Sequence, residues 1–371
     1  MSAKSRKWWF LGLGVVLLGF LLYHSRHLLN LSQFSGVKLW HAIRGANYTY
    51  LLLSIVTIYG CYALRALRWR EFQKHVGRAH FWNIYEMTLA GFAAVFLLGR
   101  AGEPVRPLLL ARKGKLPVAD TFGIYVLERL LDTASTAVIA AIGLLFFEGR
   151  GHAGEAANTL ETAARTAGSV LFAGVAGAIA LLVYLRLHGS ALLERKLQGW
   201  LAAHGWRASL AKIVMGFTRG VQTIRTWGEL AKAVIYSTLH WLLVLAGCVL
   251  VTWSFGGKLG ELSISDVVLV LAFTLVGSAV QLPGVGGGSQ VASFLAYTAI
   301  FGVEKEPAAA SAIVMWLISF AACSFAGVPI LIREGFSLGQ LKEMAEHEKE
   351  VLEMEVAGGT GTATRLGEKP E

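Results

Sequence analysis

Six apolar runs dominate the chain, and each is close to the roughly 20 residues that an α-helix needs to cross the hydrocarbon core of a bilayer. Inside a bilayer the backbone finds no water, so a spanning segment must satisfy its polar groups within a helix or a closed barrel. The sequence therefore predicts an all-α, polytopic integral membrane protein, folded as a helical bundle with about six full spans. The runs occupy residues 8–23, 50–67, 119–147, 167–185, 230–255 and 308–332.

The composition supports a membrane location. Charged residues make up 16% of the chain and hydrophobic residues 55%, whereas soluble domains carry roughly 25% charged residues. The net charge of +10 indicates membrane topology and no nucleic-acid partner, because no long basic stretch outside the apolar runs is interleaved with aromatic residues. Cys61, Cys248 and Cys323 lie in apolar segments without metal-type spacing, so we expect them to be packed in the interior.

Two further apolar stretches are interrupted by glycine and proline at comparable places in the two halves of the chain. Residues 81–98 run into the sequence GRAGEPVRP, and residues 264–282 run into PGVGGG before a second limb at 289–302. Paired helix breaks of this kind are the best sequence pointer to a transport site. Backbone that leaves the helix at membrane depth must be buried in protein or line a watery cavity. We therefore expect two re-entrant helical hairpins that enter from opposite faces.

The distribution of lysine and arginine favours this arrangement. With a cytoplasmic N-terminus and two hairpins, the inner segments hold three, five, five and eight basic residues, and the outer loops hold three, two, one and one. If residues 81–98 crossed fully, the loop with eight basic residues would lie outside, against the positive-inside rule. Splitting residues 119–147 into two short helices would also keep the loop with eight basic residues on the cytoplasmic side, even if residues 81–98 crossed fully. We expect a bacterial inner-membrane protein with both termini in the cytoplasm.

The chain divides into a transmembrane domain and a short tail. We expect residues 1–335 to form the membrane domain. Within it, residues 190–228 carry an apolar helical stripe beside a basic face, which suits the anionic cytoplasmic surface of a membrane. Residues 336–371 are expected to be a cytoplasmic tail, helical at first and then disordered because its end is rich in glycine and threonine.

The first break carries charged residues that are costly inside a membrane and are functional candidates by default. Arg100, Glu103 and Arg106 are spaced by three and would share one face of a continuous helix. Pro104 suits the first turn of the return limb, whose positive N-terminal end would then face the membrane interior. This pattern predicts that Arg100 and Arg106 bind an anion such as a lipid phosphate. The alternative is that both arginines extend to the cytoplasmic interface.

The second break contains glycines, whose backbone N–H groups could bind an anion, instead of charged side chains. Gly286, Gly287 and Gly288 can form a nest of N–H groups, and Ser289 can cap the helix that follows. Such a nest would add positive potential on the opposite side of the same site. The alternative is that the glycines only allow close packing between helices.

A third group of charged residues lies within residues 119–147. Glu128 and Asp132 are four apart on one helical face, with Arg129 and Tyr125 close by in sequence. These residues could form a closed ion-pair network with Arg100 and Arg106, contact a lipid headgroup, or relay protons. The sequence alone leaves these alternatives open.

Three ordered motifs resemble the lysylphosphatidylglycerol synthase transmembrane-region family, the flippase-like domain at the membrane end of multiple peptide resistance factor. They are GRAGEPVR from Gly99, ERLLD from Glu128 and LPGVG from Leu282, and the resemblance covers roughly residues 10–335. Gln290 stands where the family often has an acid, which weakens any expectation of a carboxylate there for an aminoacyl ammonium group. We expect no soluble aminoacyl-transfer domain in this protein. The resemblance implies conserved roles for Arg100, Gly102, Glu103, Arg106, Glu128, Arg129, Asp132, Pro283 and Gly286.

Together these features favour a flippase-like protein that moves a phospholipid or glycolipid headgroup between leaflets. Its expected partners are membrane lipids, either an anionic phospholipid or a lipid-linked sugar, and possible protein partners are a lipid-biosynthesis enzyme or a second copy. No nucleotide-binding, metal or catalytic motif is recognised, so we expect no cofactor. The alternative functions are a membrane-embedded enzyme and a scaffold of lipid or polyprenol-sugar biosynthesis. The candidate substrate-binding residues are Arg100, Gly102, Glu103, Arg106, Glu128, Arg129, Asp132, Pro283, Gly284, Gly286, Gly287, Gly288, Ser289 and Gln290.

Overall fold

A computed structural model describes residues 35–146, 165–177, 226–278, 281–282 and 286–335, with isolated positions at 162, 180 and 339. Within this part of the chain the protein is helical apart from one pair of two-residue strands, as the sequence predicts. The predicted first span, nearly all of the amphipathic segment at 190–228 and nearly all of the tail lie outside the described residues.

The helices follow the apolar runs closely, and their bounds are these. The α-helices are α1 Gly36–Arg44, α2 Tyr48–Gln73, α3 Phe81–Leu98, α4 Val105–Gly114, α5 Val118–Leu145, α6 Trp227–Ser254, α7 Ile264–Gly277, α8 Gly288–Leu295, α9 Lys305–Trp316 and α10 Ala322–Arg333. A 3-10 turn Gly99–Gly102 joins α3 to α4, the strands β1 Gln281–Leu282 and β2 Gly286–Gly287 lie between α7 and α8, and a short helix Gly257–Gly260 follows α6. Two π-helical turns, Ala296–Ile300 and Leu317–Ala321, extend α8 and join α9 to α10. Residues 165–177 are also helical.

Four helices in the described part of the chain are long and apolar enough to cross a membrane: α2, α3, α6 and the continuous helix Lys305–Arg333. Helix α5 is 28 residues long, but it carries Asp120, Glu128, Arg129 and Asp132. The fold is therefore that of a membrane helical bundle. The number of full spans stays a prediction.

The chain reverses direction between α3 and α4. A methyl group on Gly91 of α3 would lie 2.3 Å from Cβ of Arg106 in α4, and one on Gly102 would lie 2.3 Å from the carbonyl oxygen of Ala94. Only glycine lets two helix backbones approach this closely. Residues before α3 and after α4 also meet, because a methyl group on Gly77 would touch Leu116.

Ion pairs place both ends of this hairpin beside the end of α10. Lys113, in the last turn of α4, bonds Glu334 at 2.6 Å, and Glu86, in the second turn of α3, pairs with Arg333. The start of α3 and the end of α4 therefore lie at the same end of the bundle. The end of α2 and the start of α6 are neighbours, since Lys232 lies 3.4 Å from Glu71.

A second reversal lies between α7 and α8. A methyl group on Gly277 would lie 2.3 Å from the carbonyl oxygen of Gly288, so these helices also pack backbone to backbone. The base of this hairpin lies near the end of α6, where Lys258 donates to the carbonyl of Gly302 at 2.9 Å. That end of α6 meets the start of α2 through a 2.7 Å bond from Asn47 N–H to the carbonyl of Ser254.

The two hairpins therefore start from opposite ends of the α2–α6 pair. Strand β1, at the tip of the second hairpin, contacts the 3-10 turn Gly99–Gly102 at the tip of the first. The two helix breaks that the sequence singles out are thus in contact.

Interior packing confirms one expectation from the sequence and corrects another. Cys61, Cys248 and Cys323 are buried free thiols, as predicted. Trp69 lies two residues beyond the predicted end of the apolar run at 50–67, where a tryptophan is expected at the membrane interface, but it is fully buried. It lies in a cluster with Val105 and other apolar side chains of α2 to α5, because α2 continues six residues beyond the predicted end of that run.

Candidate functional site

Three of the predicted site residues come together in the interior. Arg106 of α4 and Glu128 and Asp132 of α5 are 2%, 1% and 7% exposed. Nη1 of Arg106 lies 2.9 Å from Oε2 of Glu128. Along α5, Glu128 and Asp132 lie about 15 and 21 Å from the first residue, at ~1.5 Å per residue, and so in the middle of this 28-residue helix.

Two further arginines, Arg65 and Arg68 of α2, complete the cluster. Nη1 of Arg65 lies 2.9 Å from both Oε1 of Glu128 and Oδ2 of Asp132. Nη2 of Arg68 lies 2.9 Å from Oε1 of Glu128 and 2.8 Å from Oδ1 of Asp132. We call Arg65, Arg68, Arg106, Glu128 and Asp132 the buried ion cluster.

Arg65 and Arg68 are two of the five basic residues that the charge count placed in the second cytoplasmic segment, and that placement was wrong because both are buried in the bundle. Both lie inside α2, which extends to Gln73. Their spacing of three residues puts them on one helical face, opposite the two acids of α5 that are four residues apart. Helix α6 also contributes, because Nη1 of Arg68 donates to Oγ of Ser237 at 2.8 Å.

Arg106 is the least satisfied cation of the buried ion cluster. Its guanidinium carbon lies 5.0 Å from the ring centre of Trp69 and 5.5 Å from that of Phe92. Although it is close to Glu128, none of its three nitrogens has a well-directed hydrogen bond within the described part of the chain. The side-chain nitrogens of Trp69 and Gln73, which lie one turn apart on α2, are also buried without an acceptor there. Buried donors of this kind normally have a partner.

The first hairpin departs from the expected single helical face. Residues 99–102 form a 3-10 turn, and α4 starts only after Pro104, which occupies the position before its first residue. Arg100, Glu103 and Arg106 therefore do not lie on one α-helix, and the Arg100 side chain lies outside the described residues. Glu103 still faces α5, because it accepts a 2.8 Å hydrogen bond from the hydroxyl of Tyr125.

Arg129 lies at the edge of the buried ion cluster. Its Nη2 is 3.6 Å from Oδ2 of Asp132, and its guanidinium carbon is 5.3 Å from the ring centre of Tyr125. Its side chain is 35% exposed, in contrast to Arg68 and Arg106. Of the alternatives left open for these residues, the ion-pair network is the arrangement present, with Arg65 and Arg68 as its main cations.

The second hairpin uses its glycines differently from the expectation. Gly286 and Gly287 pair with Leu282 and Gln281 as antiparallel strands instead of forming a nest. Helix α8 begins at Gly288, so Ser289 lies in the first turn and is not the cap. Gly287 takes the capping position with a φ of 134° that favours glycine.

The N–H of Gly287 donates to the side-chain oxygen of Gln290, which reaches back over the start of α8. Gln290 therefore has a structural role at the helix start. Two other candidates on this hairpin, Pro283 and Gly284, lie outside the described residues.

A family comparison bears directly on this site. The family model for the lysylphosphatidylglycerol synthase TM region matches residues 9–327, which is most of the chain. The chain belongs to this family. The match spans both helix breaks and all members of the buried ion cluster. A search of curated proteins and a search of solved structures found no match.

Membership of the lysylphosphatidylglycerol synthase transmembrane family supports a membrane location and a lipid-related function. The geometry adds a chemical requirement. A buried charge costs several kcal/mol unless it is paired and hydrogen-bonded. If Arg106 moves away from Oε2 of Glu128, Oε1 still contacts Arg65 and Arg68. Arg106 can therefore bind another anion while Glu128 keeps two arginine partners.

One prediction concerns the contact that positions Arg106. Gly91→Ala should lower the free energy of unfolding by about 1–3 kcal/mol, because overpacking at this level costs that much. The added methyl group would lie 2.3 Å from Cβ and 2.9 Å from Cα of Arg106, and the backbone cannot move aside cheaply. Thermal unfolding of the detergent-purified protein measures the effect.

The matched control is Gly123→Ala in α5, where a methyl group meets nothing within 4 Å. Alanine has a higher helix propensity than glycine by about 1 kcal/mol, so this variant should be as stable as the wild type or more so. Equal stability of the two variants would show that α3 and α4 are not in close contact.

Proposed function

We propose that this protein is a flippase-like lipid carrier of the bacterial inner membrane, which moves a phosphate-bearing headgroup between leaflets. The observation that carries the proposal is Arg106, a buried guanidinium with one shared carboxylate and three nitrogens without well-directed hydrogen bonds in the described part of the chain. Arginine is suited to phosphate because its planar fork can donate two parallel hydrogen bonds. The lipid phosphate would bind Arg106 in place of Oε2 of Glu128.

The two opposed hairpins provide the route in this proposal. A lipid headgroup cannot pass through hydrocarbon cheaply, since a central charge costs about 2.5–3.5 kcal/mol even on insertion scales. Irregular backbone at membrane depth is tolerated where it lines a polar cavity. The contact between the 3-10 turn Gly99–Gly102 and β1 brings the two irregular segments together. The headgroup would pass beside this contact while the acyl chains stay in lipid.

The proposal includes a membrane orientation. We place the base of the α3–α4 hairpin at the cytoplasmic face, with both termini, and the base of the α7–α8 hairpin at the outer face. Arg70 in the last turn of α2, and Lys74 and Arg78 beyond its end, would then lie at the cytoplasmic face. This arrangement keeps the loop with eight basic residues inside, as the positive-inside rule requires.

Cysteine accessibility tests the orientation. In a background with Cys61, Cys248 and Cys323 replaced by alanine, a membrane-impermeant maleimide should label Trp82→Cys and Lys115→Cys only from the cytoplasmic face. The same reagent should label Glu261→Cys only from the outer face. All three positions are exposed in the structure. Labelling of positions 82 and 115 from opposite faces would rule out a re-entrant hairpin.

Translocation itself is tested in proteoliposomes. Phosphatidylglycerol with a fluorescent acyl chain should become accessible to a membrane-impermeant quencher faster in vesicles containing the protein than in empty vesicles. The lipid recovered afterwards should be chemically unchanged, as a carrier requires. Covalent conversion of the lipid would support the alternative of a membrane-embedded enzyme, and unchanged accessibility would contradict the carrier proposal.

A further inference from the structure

We infer that the lipid bound at the buried ion cluster is a phosphodiester with a single negative charge and an uncharged headgroup, and that the site disfavours aminoacylated lipids. The inference rests on the proposed function, because it names the substrate class of the same site. Phosphatidylglycerol and a sugar linked to polyprenol through one phosphate belong to this class. Lysylphosphatidylglycerol does not, since its lysyl group adds two ammonium charges at neutral pH.

The first argument is the charge balance. The buried ion cluster contains three arginines and two carboxylates, which leaves one positive charge. The imidazole of His240, which is buried on α6, is counted as neutral. Adding the two half-buried side chains Arg129 and Glu103, one of each sign, does not change this balance among the described side chains. An uncompensated buried cation is costly. One bound phosphodiester would neutralise it.

The second argument is the occupancy of the carboxylates. Oε1 of Glu128 is shared by Arg65 and Arg68, and Oε2 is next to Arg106. Both oxygens of Asp132 contact arginines on α2. Removing one partner from a buried ion pair is strongly destabilising. Oε1 of Glu128 and both oxygens of Asp132 are thus committed to the guanidinium groups of Arg65 and Arg68, and an ammonium could reach these oxygens only by displacing one of the two arginines.

The third argument is the kind of polar atom left without a partner. Around Arg106 the buried atoms without a well-directed hydrogen bond include five donors: the three guanidinium nitrogens of Arg106, the indole nitrogen of Trp69 and the amide nitrogen of Gln73. Two carboxylate oxygens nearby, Oε2 of Glu128 and Oδ2 of Asp132, also lack such a bond, but each is already in ion-pair contact with an arginine. Phosphate oxygens accept hydrogen bonds and an ammonium group only donates them. The guanidinium carbon of Arg106 lies 5.0 and 5.5 Å from the ring centres of Trp69 and Phe92, so Arg106 already occupies the cation-binding faces of these aromatic rings.

Native mass spectrometry of the intact detergent-purified protein tests the inference without requiring transport. The protein is mixed with equimolar phosphatidylglycerol, phosphatidylethanolamine and lysylphosphatidylglycerol of identical acyl chains. We expect phosphatidylglycerol adducts to exceed the other two by at least about tenfold, because like charges placed together are strongly disfavoured. Lysylphosphatidylglycerol adducts equal to or above those of phosphatidylglycerol would overturn the inference.

Two further arms assign the selectivity to the site. Arg106→Gln should remove the preference for phosphatidylglycerol, whereas Arg70→Ala, on the exposed side of α2, should keep it. An excess of inorganic phosphate should leave the lipid adducts in place. Displacement by inorganic phosphate, or a preference that survives in Arg106→Gln, would overturn the assignment of a lipid phosphodiester to this site.

The same lipids in the proteoliposome assay separate this inference from the function on which it rests. Translocation of all three lipids at equal rates would refute the selectivity and leave the carrier function standing. Selective binding without any translocation would support the inference about the ligand and refute the carrier function.

Discussion

Glu128→Gln should lower the free energy of unfolding by about 3–5 kcal/mol, the usual cost of removing one partner from a buried ion pair. The glutamate carboxylate touches three arginines at 2.9 Å. An amide keeps the volume and one acceptor but carries no charge. The variant would leave Arg65, Arg68 and Arg106 with Asp132 as the remaining acid of the cluster.

Thermal unfolding in detergent, followed by intrinsic tryptophan fluorescence, measures this effect. The matched control is Asp120→Asn, which makes the same change of charge on the exposed first turn of α5. It should shift the free energy of unfolding by less than about 0.5 kcal/mol, as surface substitutions usually do. Equal stability of the two variants would mean that Glu128 does not hold the arginines together.

Arg106→Ala should have the largest effect on transport. We expect translocation of phosphatidylglycerol to fall by about 10- to 100-fold, because a hydrogen bond to a charged group contributes about 1.5–3 kcal/mol. Stability should change less than in Glu128→Gln, since Oε1 of Glu128 remains paired with Arg65 and Arg68. This variant therefore separates binding of the headgroup from folding of the bundle.

Two matched variants sharpen this measurement. Arg106→Lys should be intermediate, because an ammonium keeps the charge but cannot form the planar fork that guanidinium offers to phosphate. Arg70→Ala removes an arginine from the exposed side of the same region and should transport at the wild-type rate. A folded Arg106→Ala protein with wild-type translocation would exclude Arg106 from the transport site.

Much of the architecture is predictable from the sequence because its causes are local. The apolar runs predict α5 and α6 to within a few residues and α2 except for its last six residues, and the glycine and proline breaks mark both reversals. The pairing of Arg106 with Glu128 was one of the alternatives that the spacing allowed. The spacing of residues in the sequence shows which side chains share one face of a helix. It does not show which other helix packs against that face.

Arg65 and Arg68 show where the sequence reasoning failed. They stand at the end of an apolar run, where a basic residue normally marks the membrane edge. A usable signal was present: the two arginines are three residues apart and are followed by apolar residues at 69 and 72 on the continuing helix. The predicted cap at Ser289 failed for a different reason, because Gly287 takes the capping position two residues earlier and donates to the side chain of Gln290.

The most direct test of the central claim is the identity of the lipid that co-purifies with the protein. Lipids extracted from wild type and from folded Arg106→Ala, purified identically, are quantified by mass spectrometry against the host membrane. We predict that wild type is enriched in a lipid with one phosphodiester and that the variant has lost this enrichment. The same lipid profile in both proteins would contradict the assignment of the headgroup site to Arg106.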